Sequence, residues 1–363
     1  MSSSRGTTAR HLGPFSAAAL VVANTVGVGV FTTSGFALAD LGSPGRVLLA
    51  WLVGGVIAAC GAWCYGAIAT ALPESGGEYT FLARTVHPLA GFLAGWVSLL
   101  AGFTGPIAAA ALGLSAYVAP VIGRPAGDPW VGTAGVLLAT GLHGLRAAPG
   151  VRAQDVAVAI KLLLVAGFCV AGAWMSVGGG PARDAAPAVG AFPWTAFGMT
   201  LVWISFSYSG WNAAVYVGGE VRDPTRNLRR ALLQGTGVIV LVYLALNAIF
   251  VYAAPLDELA GQGEIGAVAA RALGGAWLEQ AVRIVVALAL WTSVSAMIMA
   301  GPRVAVAMAR DGLLPAAVAR GNPPLTALLL QAGLAIALVW MSDLAELLGT
   351  LGMTLGLCTV ATV

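Results

Sequence analysis

The chain has 363 residues, of which 59% are hydrophobic and 9% charged, whereas a soluble domain carries roughly 45–50% apolar and about 25% charged residues. A mean hydropathy of +0.88 comes with apolar runs of about 20 residues through most of the chain, the thickness of a bilayer core. A soluble globular protein is excluded, and a net charge of +3 from 18 Lys+Arg and 15 Asp+Glu is too small and scattered for nucleic acid to be a partner.

The N-terminal Arg5, Arg10 and His11 precede an apolar stretch from Leu12 to Ala39. That stretch exceeds the roughly 7–15 residues of a secretory signal's apolar region and is interrupted by glycines, so it reads as a first transmembrane helix. Apolar windows between polar breaks predict ten spans, at about 14–40, 46–71, 88–120, 130–147, 154–176, 194–219, 231–254, 277–308, 324–341 and 343–363. With the N-terminus inside, cytoplasmic segments hold Arg5, Arg10, Arg84, Arg146, Arg152, Arg222, Arg226, Arg229, Arg230, Arg303, Arg310 and Arg320, against four external arginines, Arg46, Arg124, Arg183 and Arg271. This asymmetry fits the positive-inside rule, and Trp130, Trp174, Trp194, Trp277 and Trp340 fall at external span ends, where an aromatic belt belongs. The external segment 255–276 is read as a helical cap over the outer mouth and the cytoplasmic segment Leu72–His87 as an interfacial helix. One membrane domain is expected, multi-pass in the cell (inner) membrane with a cytoplasmic N-terminus.

Cys60, Cys64, Cys169 and Cys358 lie inside apolar runs and the three His are dispersed. Neither a disulfide framework nor a metal cluster is available, and no cofactor is expected.

Two spans carry matching interruptions. Asn24-Thr25-Val26-Gly27-Val28-Gly29-Val30-Phe31 lies in span one and Phe206-Ser207-Tyr208-Ser209-Gly210-Trp211-Asn212 in span six, about 180 residues apart and of opposite orientation. Interrupted helices in corresponding halves point to an inverted-repeat transporter, although glycine also serves close helix packing. A broken helix exposes N–H and C=O groups that are costly in hydrocarbon unless a cavity or ligand satisfies them. The outer half of helix one offers N–H groups to an anion such as a carboxylate, and the end of helix six near Ser207–Ser209 offers carbonyls and hydroxyls to an ammonium. Together they suit a zwitterion.

With Pro73-Glu74-Ser75-Gly76-Gly77-Glu78-Tyr79, Gly219-Glu220-Val221-Arg222-Asp223-Pro224, Asn227 and Ala309-Arg310-Asp311-Gly312-Leu313-Leu314-Pro315, these motifs resemble amino acid permeases of the amino acid, polyamine and organocation (APC) superfamily. The resemblance spans nearly the whole chain. It implies an all-α, five-plus-five inverted-repeat (LeuT-type) transporter fold with discontinuous helices 1 and 6, repeats at about 14–176 and 194–363, and alternating access. It also implies a truncated permease, because relatives continue for two further helices, 11 and 12. Carried over by position, main-chain N–H groups around Gly27, Val28 and Gly29, beside Val26, cradle the substrate carboxylate, and carbonyls near Thr25, Phe206 and Ser209 hold its ammonium. Phe206 matches an outward gate, and Trp211 and Asn212 match the inner wall of the pocket. Serines stand at 207 and 209 where many relatives carry alanine, glycine or aspartate.

Lys161 is the one lysine beside 17 arginines, placed roughly 10–12 Å into span five at 1.5 Å per residue. An intramembrane ionisable group is a functional candidate, against the alternative of a side chain snorkelling to the interface. It matches a fifth-helix lysine of proton-coupled and exchanging relatives, which implies a coupling role bridging helix one to Thr292, Ser293 and Ser295 in helix eight. Glu279 and Arg283, four apart, are expected to form a helix ion pair. Arg222, Asp223, Arg226, Arg229 and Arg230 read as positive-inside anchoring or as part of an inner gate with Glu220 or Asp311.

The expected function is secondary active transport of amino acids or related amines within a lipid bilayer, proton-coupled or by exchange. An intramembrane enzyme lacks a nucleophile elbow or metal-ligand cluster, a passive channel lacks a repeated filter, and no Walker motif supports ATP-driven transport.

Overall fold

Apolar segments without water to bond their backbone must satisfy it internally, which favours helices. The computed structural model describes residues 13–72, 77–145, 159–160, 163, 165–170, 172, 191–216, 221–310, 312–321 and 324–363, and these are helical almost throughout. In chain order the helices are α1 (Pro14–Thr25), α2 (Val28–Leu41), α3 (Pro44–Ala71), α4 (Gly77–Thr85), α5 (Pro88–Val97), α6 (Gly105–Val118), α7 (Pro129–Gly144), α8 (Trp194–Ser207), α9 (Ala213–Tyr216), α10 (Pro224–Tyr252), α11 (Leu256–Leu259), α12 (Ile265–Ala300), α13 (Pro302–Arg310), α14 (Leu325–Met341) and α15 (Leu344–Thr362).

Among the described residues five helical stretches are long and apolar enough to cross a membrane: Pro44–Ala71, Pro88–Ile122, Pro224–Tyr252, Ile265–Arg310 and Leu344–Thr362. They correspond to expected spans two, three, seven, eight and ten. Span one is divided between α1 and α2, and span six between α8 and α9. Spans four and nine are single helices of 16 and 17 residues. Most of span five, including Lys161 and Trp174, lies outside the described residues.

Three local departures from the expected spans have physical causes. α10 starts at Pro224 rather than near residue 231, because proline is pre-organised for a first helical turn and the arginines that follow are good helix formers. The eighth helix begins at Ile265 but is interrupted at Gly274 and Gly275, the latter at φ 68°, so its first nine residues belong to the segment 255–276 expected to form a cap. α5 passes into α6 through a wider π-type stretch at Ser98–Thr104, where the Thr104 hydroxyl donates to the Leu99 carbonyl at 2.8 Å; Pro106, lacking an N–H, follows directly.

Within the segment Leu72–His87, expected to form an interfacial helix, Gly77–Thr85 is helical as α4. Trp130 and Trp340 meet edge to face with centroids 4.9 Å apart, which brings the start of α7 and the end of α14 to one end of the bundle. α3 packs along α10, α1 against α10, α2 and α15 against α8, and α12 against α6. Between α3, α8 and α10 the rings of Trp51, Tyr208 and Tyr243 form a buried aromatic trio with centroids 5.1–5.7 Å apart. This trio lies directly behind the two interrupted helices.

Candidate functional site: the junction of two broken helices

α1 ends at Thr25 and α2 begins at Val28; between them Val26 (φ −71°, ψ 92°) and Gly27 (φ −130°, ψ −158°) are extended. The groups released by this break find a partner from α10. The Tyr243 hydroxyl lies 2.6 Å from the Thr25 carbonyl oxygen and 3.1 Å from the Ser207 carbonyl oxygen. With a single proton it donates to one of these carbonyls at a time. Tyr243 is fully buried, so one side chain ties both interrupted helices together.

The second break follows Ser207. Ser209 N–H donates to the Phe206 carbonyl at 2.8 Å and Ala213 N–H to the Gly210 carbonyl at 3.0 Å, which turns the chain from α8 into α9. Gly210 has φ +102°, and a Cβ there would stand 2.8 Å from the Asn24 carbonyl oxygen and 3.2 Å from the Thr25 nitrogen. Both the backbone angle and the close approach require glycine. On the other side of the junction Gly29 lies so close to Ser207 that any Cβ would overlap the serine's Oγ and Cα. The Ser207 hydroxyl is shared with Thr33 Oγ1 at 3.0 Å and the Trp203 carbonyl at 3.1 Å.

Thr25, Val26, Gly27, Val28, Gly29, Phe206, Ser207 and Ser209 therefore surround one junction. Trp211 and Asn212 face elsewhere. The Trp211 ring meets Tyr65 edge to face at 4.8 Å and covers Gly61, while Asn212 Nδ2 donates to the buried Glu78 carboxylate, which also accepts from the Tyr65 hydroxyl at 3.1 Å. Lys161 lies outside the described residues. Of its expected partners in α12, the Thr292 and Ser293 hydroxyls donate to the Ala289 carbonyl at 2.8 and 3.0 Å, and the Ser295 hydroxyl is 2.9 Å from His143 Nε2. Sequence reasoning missed Tyr243, a lone aromatic in an apolar run. Glu78 stands in the Pro73–Tyr79 motif, and its burial beside Asn212 gives it a structural meaning that the motif does not convey.

The segment expected to form a cap is fastened to the same helices. Gly261 N–H donates to the Gly35 carbonyl at 2.7 Å, and Gly35 lies directly under the Gln262 backbone. Arg283 grips Glu264 in a two-pronged pair at 2.9 and 3.0 Å and reaches Glu279 through Nε at 3.0 Å. The expected pair is thus one side of a larger cluster, with Arg271 3.4 Å from Glu279. Tyr117 extends the link: its hydroxyl donates to the Phe31 carbonyl at 2.8 Å and accepts from Gly266 N–H at 3.2 Å.

Among the described residues no group of three His, Cys, Asp or Glu is placed to hold a metal. The chemistry on offer is recognition by main-chain donors at the start of α2 and main-chain acceptors at the end of α8. The first turn of α2 has no side-chain cap, and its N–H groups carry the positive end of the helix dipole.

The family model described as amino acid permease matches residues 12–361. The large neutral amino acids transporter small subunit 2 of Rattus norvegicus is 29% identical, over 94% of this chain and 67% of its own length. The Asc-type amino acid transporter 1 of Mus musculus is 27% identical over 98% of this chain and 69% of its own, and the serine/threonine exchanger SteT of Bacillus subtilis (strain 168) 27% over 84% and 69%. The chain spans about two thirds of the length of these relatives. A match over nearly all of the chain, on a bundle of apolar helices with two interruptions, shows that this multi-pass membrane protein belongs to the amino acid permease family.

Proposed function

We propose that the chain moves amino acids across the cell membrane as a secondary active transporter, by exposing a site between the two helix breaks alternately to each side. The observation that carries this reading is the meeting of both breaks at Tyr243, whose hydroxyl lies against the Thr25 and Ser207 carbonyls. N–H groups from Gly27 to Gly29 take the α-carboxylate. Carbonyls of Thr25, Phe206 and Ser209 take the ammonium, and Phe206 closes over the substrate. The relatives' names, which speak of neutral amino acids and of serine and threonine, favour a neutral substrate side chain.

Gly29 and Ser207 are in contact and the cap rests on Gly35, so the arrangement corresponds to an outer side that is shut. Opening separates α2 from the cap and the junction loosens to admit substrate. The two halves that rock are residues 14–176 and 194–363, with the N-terminus in the cytoplasm. Trp211 and Asn212, fixed to Tyr65 and Glu78, form the inner wall that yields when the site faces inward. Lys161 couples transport to protons or to exchange, its charge biasing the inward and outward states. Lys161→Gln is expected to abolish the pH dependence of uptake in liposomes; unaltered, pH-dependent uptake contradicts the coupling role.

A thermal-shift screen of the purified protein against the twenty amino acids and simple amines tests the substrate class. Stabilisation by one or more neutral α-amino acids, and not by their decarboxylated amines, supports the cradle. Equal stabilisation by the amines, or no response to any of them, contradicts it.

A further inference from the structure

At the end of the bundle where α3 stops and α10 starts, the structure contains a cavity of about 420 Å³ lined by Trp63, Thr225, Arg226, Arg229, Arg230 and Leu233. None of the residues of the helix-break junction lines it. The Arg229 guanidinium stacks on the Trp63 indole 3.7 Å from the ring centroid, and the Thr70 hydroxyl, which donates to the Gly66 carbonyl at 2.7 Å, lies 3.3 Å from the Thr225 carbonyl where the two helix ends meet.

The charges here are poorly arranged for a protein alone. Arg226 and Arg230 are one helical turn apart, as are Arg226 and Arg229, and like charges at these spacings repel. All three lie in the first two turns of a 29-residue helix, beside the positive end of its dipole, where cations are disfavoured. Among the described residues none of them forms an ion pair with a carboxylate; the neighbouring Asp223 is exposed. Such a cluster calls for an anion from outside the chain.

The depth of the cavity identifies the anion's source. At 1.5 Å per residue α10 is about 43 Å long, some 13 Å more than a hydrocarbon core. With that excess at the Pro224 end, Arg229 and Arg230, about 8–9 Å from the start of the helix, lie at the level of the lipid phosphates. Arginine forks match phosphate oxygens, while exposed Trp63 and partly exposed Leu233 offer an apolar wall to the adjoining glycerol and acyl chain. We propose that this cavity is a binding site for the phosphate headgroup of an anionic phospholipid, held by Arg226, Arg229 and Arg230 against Trp63.

Native mass spectrometry of the purified full chain tests this, using phosphatidylglycerol, phosphatidylcholine and inorganic phosphate as separate probes. The expected result is one tightly retained phosphatidylglycerol, with phosphatidylcholine and free phosphate held at least tenfold more weakly. Arg229→Gln with Arg230→Gln is expected to weaken retention about thirtyfold, from about fivefold per basic side chain near an anionic surface. Trp63→Leu, which leaves every charge in place, is a second variant expected to weaken it less. Equal retention of phosphatidylcholine, saturation by inorganic phosphate alone, or unchanged retention in the folded double variant would overturn the proposal.

Discussion

Tyr243 is the residue through which the two interruptions are held in register. Its hydroxyl stands between the Thr25 and Ser207 carbonyls, groups that no helix satisfies. Tyr243→Phe leaves the ring packing of Trp51 and Tyr208 in place but strands these groups, at a cost of about 1–3 kcal/mol per buried group left unpaired. The expected outcome is a lower melting temperature in detergent together with slower amino acid uptake; an unchanged melting temperature contradicts the bridging role. Gly29→Ala tests the contact itself, because its Cβ overlaps Ser207. It is expected to remove most uptake, and Ser207→Gly in the same chain, which opens space, to restore part of it. The glycines at 27, 29 and 210 were legible in the sequence because glycine and polar residues stand out inside an apolar run. Tyr243 was not, since its role depends on a contact 218 positions away from Thr25, which no local pattern encodes.

At the scale of elements, helix existence followed from apolar length, and helix ends followed from special residues. Pro224 and the arginines carried α10 further into the polar region than hydropathy alone indicates. Gly274 and Gly275 cut the cap from the eighth span within a continuous apolar stretch. The cap's attachment was only half legible: Glu279 and Arg283 share a helix face and were expected to pair, but Glu264 arrives from the far side of the Gly274–Gly275 bend. Arg283→Met leaves Glu264 and Glu279 without their shared cation in a largely buried setting. Breaking such a cluster costs about 3–5 kcal/mol, read as a fall in stability on chemical unfolding. Adding Glu264→Gln removes one stranded charge and is expected to recover part of the loss. If Arg283→Met is as stable as the parent chain, the cluster does not fasten the cap.

For the whole molecule, the sequence established a helical membrane bundle and the positions of both breaks, while their meeting at one junction required the packing of α1, α8 and α10. That convergence is what turns two separate irregularities into a candidate site for a zwitterion, at the place where backbone groups are otherwise hardest to satisfy in a membrane. Gly261, Tyr117 and Arg283 draw the cap segment against α2, α6 and the rest of α12. Counterflow in proteoliposomes preloaded with an unlabelled neutral amino acid tests transport through this junction most directly. The account predicts that externally added labelled amino acid accumulates transiently above equilibrium with the parent chain and does not do so with a folded Gly29→Ala variant. Accumulation by the variant equal to the parent's, or none by the parent with any amino acid, contradicts it.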